Sequence, residues 1–270
     1  MTDAASVIAI LGGATPATAG HVLEGDALDV VRSLPEACLD LVYMDPPFAS
    51  GRTHKAPGRN GDGDEVRSFD DTWDDGLEGY LAWFTPILEA VHDRLKPSGS
   101  LYVHLDWRAC HYVKVALDRI FGRACFLNHI VWLYGLGGSS PRYWPRKHDD
   151  ILWYSRTPDG HYFEPVMVPA TSQRMKGQHK KAPDYWDIPA LNNMAAERVG
   201  YPTQKPEALL TRIIASSSPP GGVVADFFCG SGTTAVAAKR LGRRWIASDI
   251  SAEAAAITRN RIKTEESAKK

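Results

Sequence analysis

The feature that most constrains the fold is a glycine-rich turn that joins a strand pattern to a helix pattern near the carboxyl end. The apolar run at 223–228 is typical of a buried strand, and a helix pattern begins at Ser231. Gly230, Gly232 and Ala235 have the spacing G-x-G-x-x-A. In a βαβ unit, this spacing permits a tight turn and a close approach of the backbone to a ligand at the helix amino terminus. We therefore predict a ligand-binding βαβ unit in this part of the chain.

An acidic residue at the end of the next strand pattern indicates what this unit binds. Asp249 follows the run at 244–248, and a carboxylate about 20 residues beyond such glycines accepts hydrogen bonds from ribose hydroxyls. No Lys-Ser or Lys-Thr pair follows the glycines as in a phosphate-binding loop, so hydrolysis of a nucleoside triphosphate is disfavoured. The pattern predicts a nucleoside-containing cofactor and leaves a dinucleotide open. The alternative for Asp249 is a polar residue that merely ends a strand.

Another strand pattern, at 39–44, ends in Asp45-Pro46-Pro47-Phe48. Proline fixes its own φ angle and disfavours helical backbone in the residue before it, so Asp45 is held extended. The segment lies at the carboxyl end of a strand, where ligands of open α/β sheets bind. A carboxylate and a ring held a short distance apart suit a planar ligand with an amino group. The alternative is a strand that simply stops in a Pro-Pro loop.

Strand and helix patterns alternate along the chain, which predicts a doubly wound α/β fold with a mainly parallel sheet. The strand patterns at 126–133 and 149–154 flank a glycine-rich basic segment, and we expect them to form an antiparallel hairpin at the sheet edge. Asp26 is placed to cap a helix at 27–34. Residues 1–20 are predicted to be a loose leader.

The 270 residues, 44% of them apolar, suit one large domain or a domain with an insertion. The four cysteines are scattered without a Cys-x-x-Cys pair, so neither a zinc site nor a disulfide framework is expected. No segment is apolar for long enough to cross a membrane, and the amino terminus lacks the charged start of a secretory signal, which favours a cytoplasmic location. The segment 49–76 lacks apolar periodicity, and we interpret it as a loop that closes over the site or as a disordered insertion.

Four short motifs resemble those of the S-adenosylmethionine-dependent amino-methyltransferases that act on DNA. The segment 45–48 matches the catalytic motif of that family, and 228–232 matches its cofactor loop. The segment 201–206 is similar to the family segment just before that loop, and 25–26 is similar to an element beside the cofactor. The catalytic motif precedes the cofactor loop, which is the circularly permuted order of the beta class. The resemblance implies a permuted, seven-stranded Rossmann-like methyltransferase sheet, S-adenosylmethionine as cofactor, and double-stranded DNA as substrate.

The resemblance also implies roles for single residues. Asp226 would lie near the amino-acid part of the cofactor, and Asp249 would hold its ribose. Thr203 and Lys205 would meet its carboxylate, and the alternative there is a threonine that only caps a helix. The cofactor-binding residues implied by the family are Asp26, Thr203, Lys205, Asp226, Phe228, Gly230, Gly232, Thr233 and Asp249.

By the same resemblance, Asp45, Pro46, Pro47 and Phe48 are the catalytic residues. The Asp45 carboxylate and the Pro46 carbonyl would accept the N–H bonds of an exocyclic amino group, and Phe48 would stack on a base flipped out of the duplex. Asp in the first motif position favours adenine N6, and cytosine N4 is the alternative because Phe48 replaces the commoner Tyr. Methylation of cytosine C5 is disfavoured because no cysteine follows a proline. The permuted order disfavours an RNA or protein methyltransferase, and retention of Asp45 disfavours an inactive DNA-binding module.

A basic segment in the middle of the chain is the expected DNA-binding region. Between 141 and 183 there are eight Lys or Arg residues and four Asp or Glu residues, in a chain of net charge −1. We expect a methyltransferase domain at 21–135 and 200–265 and an inserted target-recognition region at 136–199. From the family we also expect a homodimer and a bacterial methyltransferase of restriction-modification or orphan type, and we expect no metal ion. The expected phosphate contacts are Arg142, Arg146, Lys147, Arg174, Lys176, Lys180 and Lys181.

Overall fold

One mainly parallel sheet carries the fold. The computed structural model describes residues 4–13, 15–16, 18–55, 68–135, 139–192 and 194–267. The strands are β1 (Gly20–Glu24), β2 (Leu39–Met44), β3 (Arg52–Lys55), β4 (Ser68–Asp71), β5 (Leu95–Leu105), β6 (Phe126–Leu133), β7 (His148–Ser155), β8 (Met167–Pro169), β9 (His179–Lys181), β10 (Tyr185–Asp187), β11 (Val223–Asp226) and β12 (Arg244–Asp249). The helices are α1 (Ala4–Leu11), α2 (Ala27–Ser33), α3 (Gly76–Arg94), α4 (Cys110–Phe121), α5 (Glu207–Ser217), α6 (Thr233–Arg240) and α7 (Ala252–Ser267).

Within the described residues, the main sheet has eight strands in the order β1-β12-β11-β2-β5-β7-β6-β10. The first five run parallel to one another. β7 runs antiparallel to its neighbours β5 and β6, and β10 is parallel to β6. The predicted α/β class, the mainly parallel sheet and the antiparallel hairpin are therefore confirmed.

The sheet differs from the prediction by one strand. β10 adds an eighth strand beyond β6, so the hairpin of β6 and β7 is not the outermost pair that we expected. Only three residues form β10, which is too short for an alternating pattern to be seen in the sequence. Trp186 holds this strand, because its buried indole donates to the Pro183 carbonyl at 2.9 Å and lies 5.2 Å from the Arg212 guanidinium. β7 and β10 both come from the region 136–199, which thus contributes to the central sheet as well.

Strand β2 lies in the middle of the sheet, between β11 and β5, and is buried along its whole length. Val42 and Met44 pack in a core with α2, α3 and α4, whereas Leu41 and Tyr43 pack in a second core with α5 and α6. Burial on both faces explains the continuous apolar run in the sequence. The segment that follows β2 therefore starts from a rigid support.

Part of the amino-terminal segment forms a helix, so the prediction of a loose leader over 1–20 is wrong for α1. Val7 and Ile10 on this helix are buried in the first core. The side chain of Arg244, on β12, donates a hydrogen bond to the Ile10 carbonyl. The helix is thus stabilised by contacts with the far end of the chain, which a local pattern does not show.

Other local predictions are confirmed or tested in part. Asp26 caps α2, since its carboxylate accepts the N–H groups of Leu28 at 2.9 Å and Asp29 at 3.3 Å. In the segment 49–76, β3 and β4 form an antiparallel pair, whereas residues 56–67 lie outside the described residues. Among the helices that the structure describes, none is long and apolar enough to cross a membrane.

Candidate active site

A cavity of about 390 Å³ opens beside the carboxyl ends of β2, β11 and β12. Both sequence motifs line it, so the fold brings together the Asp45 motif and the glycine loop, which are far apart in the chain. The volume lies in the range of pockets that hold small ligands and cofactors. The predicted residues that line the cavity are Asp45, Pro46, Pro47, Phe48, Thr203, Lys205, Asp226, Phe228, Gly230, Thr233 and Asp249.

Two predicted cofactor-binding residues, Asp26 and Gly232, lie next to the cavity but do not line it. Next to the helix cap Asp26, the N–H of Gly25 donates to the Asp249 carbonyl at 3.0 Å. Gly232 lies at the turn into α6 with a φ angle of +77°, and a Cβ atom there would come within 2.6 Å of the Thr258 side chain. Gly232 is thus required both by its backbone conformation and by the close packing of α7.

The rest of the glycine loop is held by Asp249. Its carboxylate accepts the N–H of Gly230 at 2.9 Å on one oxygen and the N–H of Ser251 at 2.9 Å on the other. Burial raises the pKa of Asp249, and these two hydrogen bonds partly offset that effect. Each carboxylate oxygen has two lone pairs, so Asp249 can hold the loop and still accept a hydrogen bond from a ligand.

Asp226 is buried at the end of β11, on the floor of the cavity. Its carboxylate accepts the N–H of Phe228 at 3.0 Å and the hydroxyl of Thr234. Burial is the largest cause that raises the pKa of Asp226 to about 7, and the charges of Asp45 and Asp249 add to it. The group is therefore close to half-protonated near neutral pH, and it connects the strand end to the first turn of α6.

Asp45 has one engaged oxygen and one free oxygen. The Lys205 ammonium group donates a hydrogen bond to Oδ2. Oδ1 is buried and has no hydrogen-bond partner among the described residues. Burial of an unpaired carboxylate oxygen is costly in free energy, so an oxygen left in this state is a candidate acceptor for a ligand.

The Phe48 ring lies beside Asp45 and is fixed through its backbone. Asp71, at the end of β4, accepts the N–H groups of Phe48 at 3.1 Å and Ser50 at 2.7 Å on one oxygen. Its other oxygen accepts the indole N–H of Trp73 at 3.1 Å. In the sequence, Asp71 is one of four aspartates between 70 and 75, and no local signal separates it from the others.

His104 is a site residue that the sequence did not reveal. It lies on β5, is fully buried, and its ring centroid is 5.8 Å from that of Phe48. One ring nitrogen contacts the Tyr43 hydroxyl at 2.8 Å, and the other contacts the Asp149 carboxylate at 3.2 Å. The available signal was a histidine inside an otherwise apolar strand pattern, and it points to a buried polar contact without naming the partner.

Further lining residues were also missed. Trp83, on α3, places its ring 5.8 Å from that of Phe228. Gln204 uses both ends of its amide, accepting the Val199 N–H at 2.9 Å and donating to the Glu197 carbonyl at 2.7 Å, and so orders the segment before α5. The lining residues that were not predicted as site residues include Tyr43, Asp71, Trp83, Tyr201 and Gln204.

The seven predicted DNA contacts fall into two groups. The first group lies in the connection between β6 and β7 and consists of Arg142, Arg146 and Lys147. Because Leu105, the last residue of β5, pairs with Asp150 near the start of β7, this connection is close to the carboxyl end of β5. The other four lie in or beside the β8–β9 hairpin. The guanidinium of Arg146 lies 3.9 Å from the centre of the exposed Trp107 ring and 4.8 Å from that of Tyr143. The members of the second group are Arg174, Lys176, Lys180 and Lys181.

Cysteine chemistry and metal ligands were also predicted to be absent. Cys229 lies in the glycine loop, and burial raises the pKa of its thiol well above the ordinary value, so it stays protonated. Among the described residues, Cys110, His129 and Asp150 bring one potential ligand atom each to within 4.8 Å of one another, outside the cavity lining. His129 and Asp150 are hydrogen-bonded to each other at 2.6 Å.

Comparison with curated proteins agrees with this geometry. A family model described as "DNA methylase", for the N6/N4 amino-methyltransferases, matches residues 39–260. The type II methyltransferase M.BglII of Bacillus subtilis is 31% identical over 86% of this chain and 66% of its own length. The DNA adenine methyltransferase YhdJ of Escherichia coli is 28% identical over 86% of this chain and 79% of its own length. The chain thus spans about two thirds to four fifths of these relatives.

Solved structures share the fold. The cytosine-N4-specific PvuII DNA methyltransferase superposes with a TM-score of 0.66 at 22% identity, over 91% of this chain and 88% of that one. The complex of M1.HpyAVI with SAM superposes with a TM-score of 0.61 at 18% identity, over 90% and 98% of the two chains. With the matched family model, the paired motifs and this fold, the chain belongs to the N6/N4 amino-methyltransferase family of DNA methylases.

Proposed function

We propose that this chain methylates the N6 amino group of adenine in double-stranded DNA, with S-adenosylmethionine as the methyl donor and with the target base flipped out of the duplex. The observation that supports this most is the free, buried Oδ1 atom of Asp45, beside the Phe48 ring and in the same cavity as the glycine loop. A flipped base that bears an amino group suits this pair, because the ring stacks on the base and the carboxylate accepts an N–H bond.

The cofactor half of the cavity fits S-adenosylmethionine. Gly230 lines the cavity, and a side chain there would come within 2.9 Å of the Tyr201 ring, so glycine is needed at this point of the loop. We assign the ribose hydroxyls to Asp249, which has lone pairs to spare, and the methionine carboxylate to Thr203 and Lys205. The bound cofactor supplies an electrophilic methyl group on its sulfonium sulfur.

The base half of the cavity prepares the amino nitrogen. The lone pair of an exocyclic amine is delocalised into the base, which makes the nitrogen a weak nucleophile. Asp45 Oδ1 and the Pro46 carbonyl accept hydrogen bonds from its two N–H groups. These hydrogen bonds return electron density from the ring to the nitrogen. Lys205 fixes the other Asp45 oxygen, so the carboxylate is oriented before the base arrives. A cysteine nucleophile plays no part in this chemistry, because the Cys229 thiol stays protonated.

The basic side chains between β6 and β7 supply the first phosphate contacts in this proposal. Arg142 and Arg146 are exposed at the sheet edge where β2 and β5 end, on the side of the cavity. The group at the β8–β9 hairpin extends the basic surface, and together they form the target-recognition region at 136–199. A homodimer is likewise a proposal, which sedimentation of the full chain with and without DNA tests.

Nucleoside analysis tests the proposed reaction. The protein is incubated with duplex DNA and cofactor labelled in its methyl group, and the digested nucleosides are identified by mass spectrometry. Label on deoxyadenosine is expected, and label on deoxycytidine alone would replace the adenine assignment by cytosine N4. RNA and protein included as competitors in the same reaction test whether DNA is the preferred substrate, and Asp45→Ala serves as the inactive control.

A further inference from the structure

A chain of buried and partly buried hydrogen bonds lies directly behind the Asp45 motif. His104 is its centre: Nδ1 contacts the Tyr43 hydroxyl at 2.8 Å and Nε2 contacts one Asp149 oxygen at 3.2 Å. Tyr134 donates its hydroxyl to the other Asp149 oxygen at 3.2 Å. This series of hydrogen bonds therefore crosses the sheet from β2 through β5 to β7, beneath the place where a base would stack.

The partners of His104 determine which ring nitrogen carries the proton. Burial tends to raise the pKa of Asp149, but the hydrogen bonds from His104 and Tyr134 and the charge of Lys205 act in the opposite direction and the pKa is lowered, so Asp149 is an acceptor. His104 Nε2 must then donate. Burial also raises the pKa of Tyr43 well above its ordinary value, so its hydroxyl keeps a proton that it can donate to Nδ1. If Tyr43 donates to Nδ1 and Nε2 donates to Asp149, His104 has the neutral Nε2–H tautomer.

The tautomer has a consequence for Asp45. His104 Nδ1 lies 3.9 Å from Asp45 Oδ1, the oxygen that lacks a partner among the described residues. A proton on Nδ1 would need only a small movement to reach Oδ1, and the resulting ion pair or hydrogen bond would occupy that oxygen. With the lone pair of Nδ1 engaged by Tyr43, Oδ1 keeps its accepting capacity.

We propose that His104 is a positioning residue, and that Asp149 holds it in the Nε2–H tautomer so that Asp45 Oδ1 stays free for the amino group of the target base. The His104 ring also supports Phe48 from behind. This inference rests on the proposed function, in which Oδ1 accepts an N–H bond of the base. His104 acts through Asp45 and Phe48 rather than on the base itself.

Nuclear magnetic resonance of the full chain, labelled with ¹⁵N in its histidines, reads the proton position directly. A neutral imidazole has one protonated and one unprotonated nitrogen, and their couplings to the ring protons identify each. The signals that are missing from the spectrum of the His104→Gln variant are those of His104. We expect an unprotonated Nδ1 in the wild-type protein. A protonated Nδ1, in either the other tautomer or the imidazolium, would overturn the inference without any need for a further variant.

Asp149→Asn tests the functional consequence. The Asn amide can donate to Nε2, which moves the proton to Nδ1, and we expect the single-turnover rate of methyl transfer to fall about 10- to 100-fold with cofactor affinity unchanged. Asp150→Asn is the matched control, because Asp150 lies on the same strand and is hydrogen-bonded to His129, outside the cavity lining. Equal losses in the two variants would mean a general effect on the sheet and would overturn the positioning role.

Failure of this inference and failure of the proposed function give different results. The proposed function fails if the wild-type reaction leaves no label on adenine. The inference alone fails if wild-type protein methylates adenine while His104 carries its proton on Nδ1. It also fails if Asp149→Asn moves the proton to Nδ1 and retains the full rate.

Discussion

Asp226 should make the stability of the protein fall as pH rises from about 4 to about 7. Burial, followed by the charges of Asp45 and Asp249, raises the pKa of Asp226 from 3.8 to about 7. The unfolded chain releases this proton near pH 3.8, whereas the folded chain keeps it until about pH 7, so the folded state binds the extra proton in between. The free energy of unfolding is therefore highest below the lower pKa, decreases as pH rises from the lower to the upper pKa, and levels off above the upper one.

The size of the effect follows from the difference between the two pKa values. Each pH unit of difference corresponds to about 1.4 kcal/mol, so the full loss is about 4 kcal/mol, of which about 2.5 kcal/mol falls between about pH 5 and pH 8. Asp226→Asn removes the ionisation and keeps the geometry, because an Asn amide can accept the Phe228 N–H and donate to the Thr234 hydroxyl oxygen. The variant should thus lack this part of the pH dependence.

Urea unfolding of the cofactor-free wild type and of Asp226→Asn at about pH 5 and about pH 8 measures the loss. Histidines and other groups titrate in both proteins, so the difference between the two pH dependences isolates Asp226. Asp74→Asn, which removes an exposed carboxylate, is the control and should follow the wild type. If the wild type and Asp226→Asn differ by the same amount at both pH values, the carboxyl group is ionised in the folded state at both, and the reasoning from burial is refuted.

Three further substitutions test the site and the DNA surface. Asp45→Ala should abolish methyl transfer while calorimetry shows nearly unchanged cofactor binding, and near-normal turnover would contradict the mechanism. Gly232→Ala should lower the free energy of unfolding by about 1–3 kcal/mol, because the position has a positive φ angle and Thr258 is 2.6 Å from the added Cβ; an unchanged thermal midpoint would contradict this. Arg146→Gln should weaken DNA binding and reduce its salt slope by about one, whereas Arg119→Gln, exposed on α4, should not.

An element could be predicted from the sequence when its own residues determine its structure, and it was missed when contacts with distant residues determine it. β2 and β11 are buried on both faces, so their continuous apolar runs could be recognised without any partner. α1 has a short apolar pattern, and its burial depends on β12 at the other end of the chain. β10 is three residues long and depends on the Trp186 contacts. Both elements are defined by tertiary contacts, which explains why local patterns missed them.

The same distinction applies within the site. The motifs around Asp45 and Gly230 are contiguous, and proline and glycine impose their backbone geometry locally, so the residues that line the cavity there could be named from the sequence. Asp71 and His104 reach the site only because β4 and the carboxyl end of β5 are folded next to the Asp45 segment. Their side chains satisfy buried groups of residues far away in the chain. Recognition of such partners needs the strand pairing, which the sequence does not display.

The contact between Lys205 and Asp45 joins the two halves of the cavity. The resemblance to the family assigned Lys205 to the cofactor carboxylate, and the structure places its ammonium on Asp45 Oδ2. These roles are compatible, because an ammonium has three hydrogens to donate and the Lys205 side chain is only 11% exposed, so it is held in place. Since Lys205 takes one carboxylate oxygen, the other is left free in a defined orientation. In the proposed mechanism, the segment that precedes the glycine loop would therefore both contact the cofactor and orient the carboxylate that receives the base.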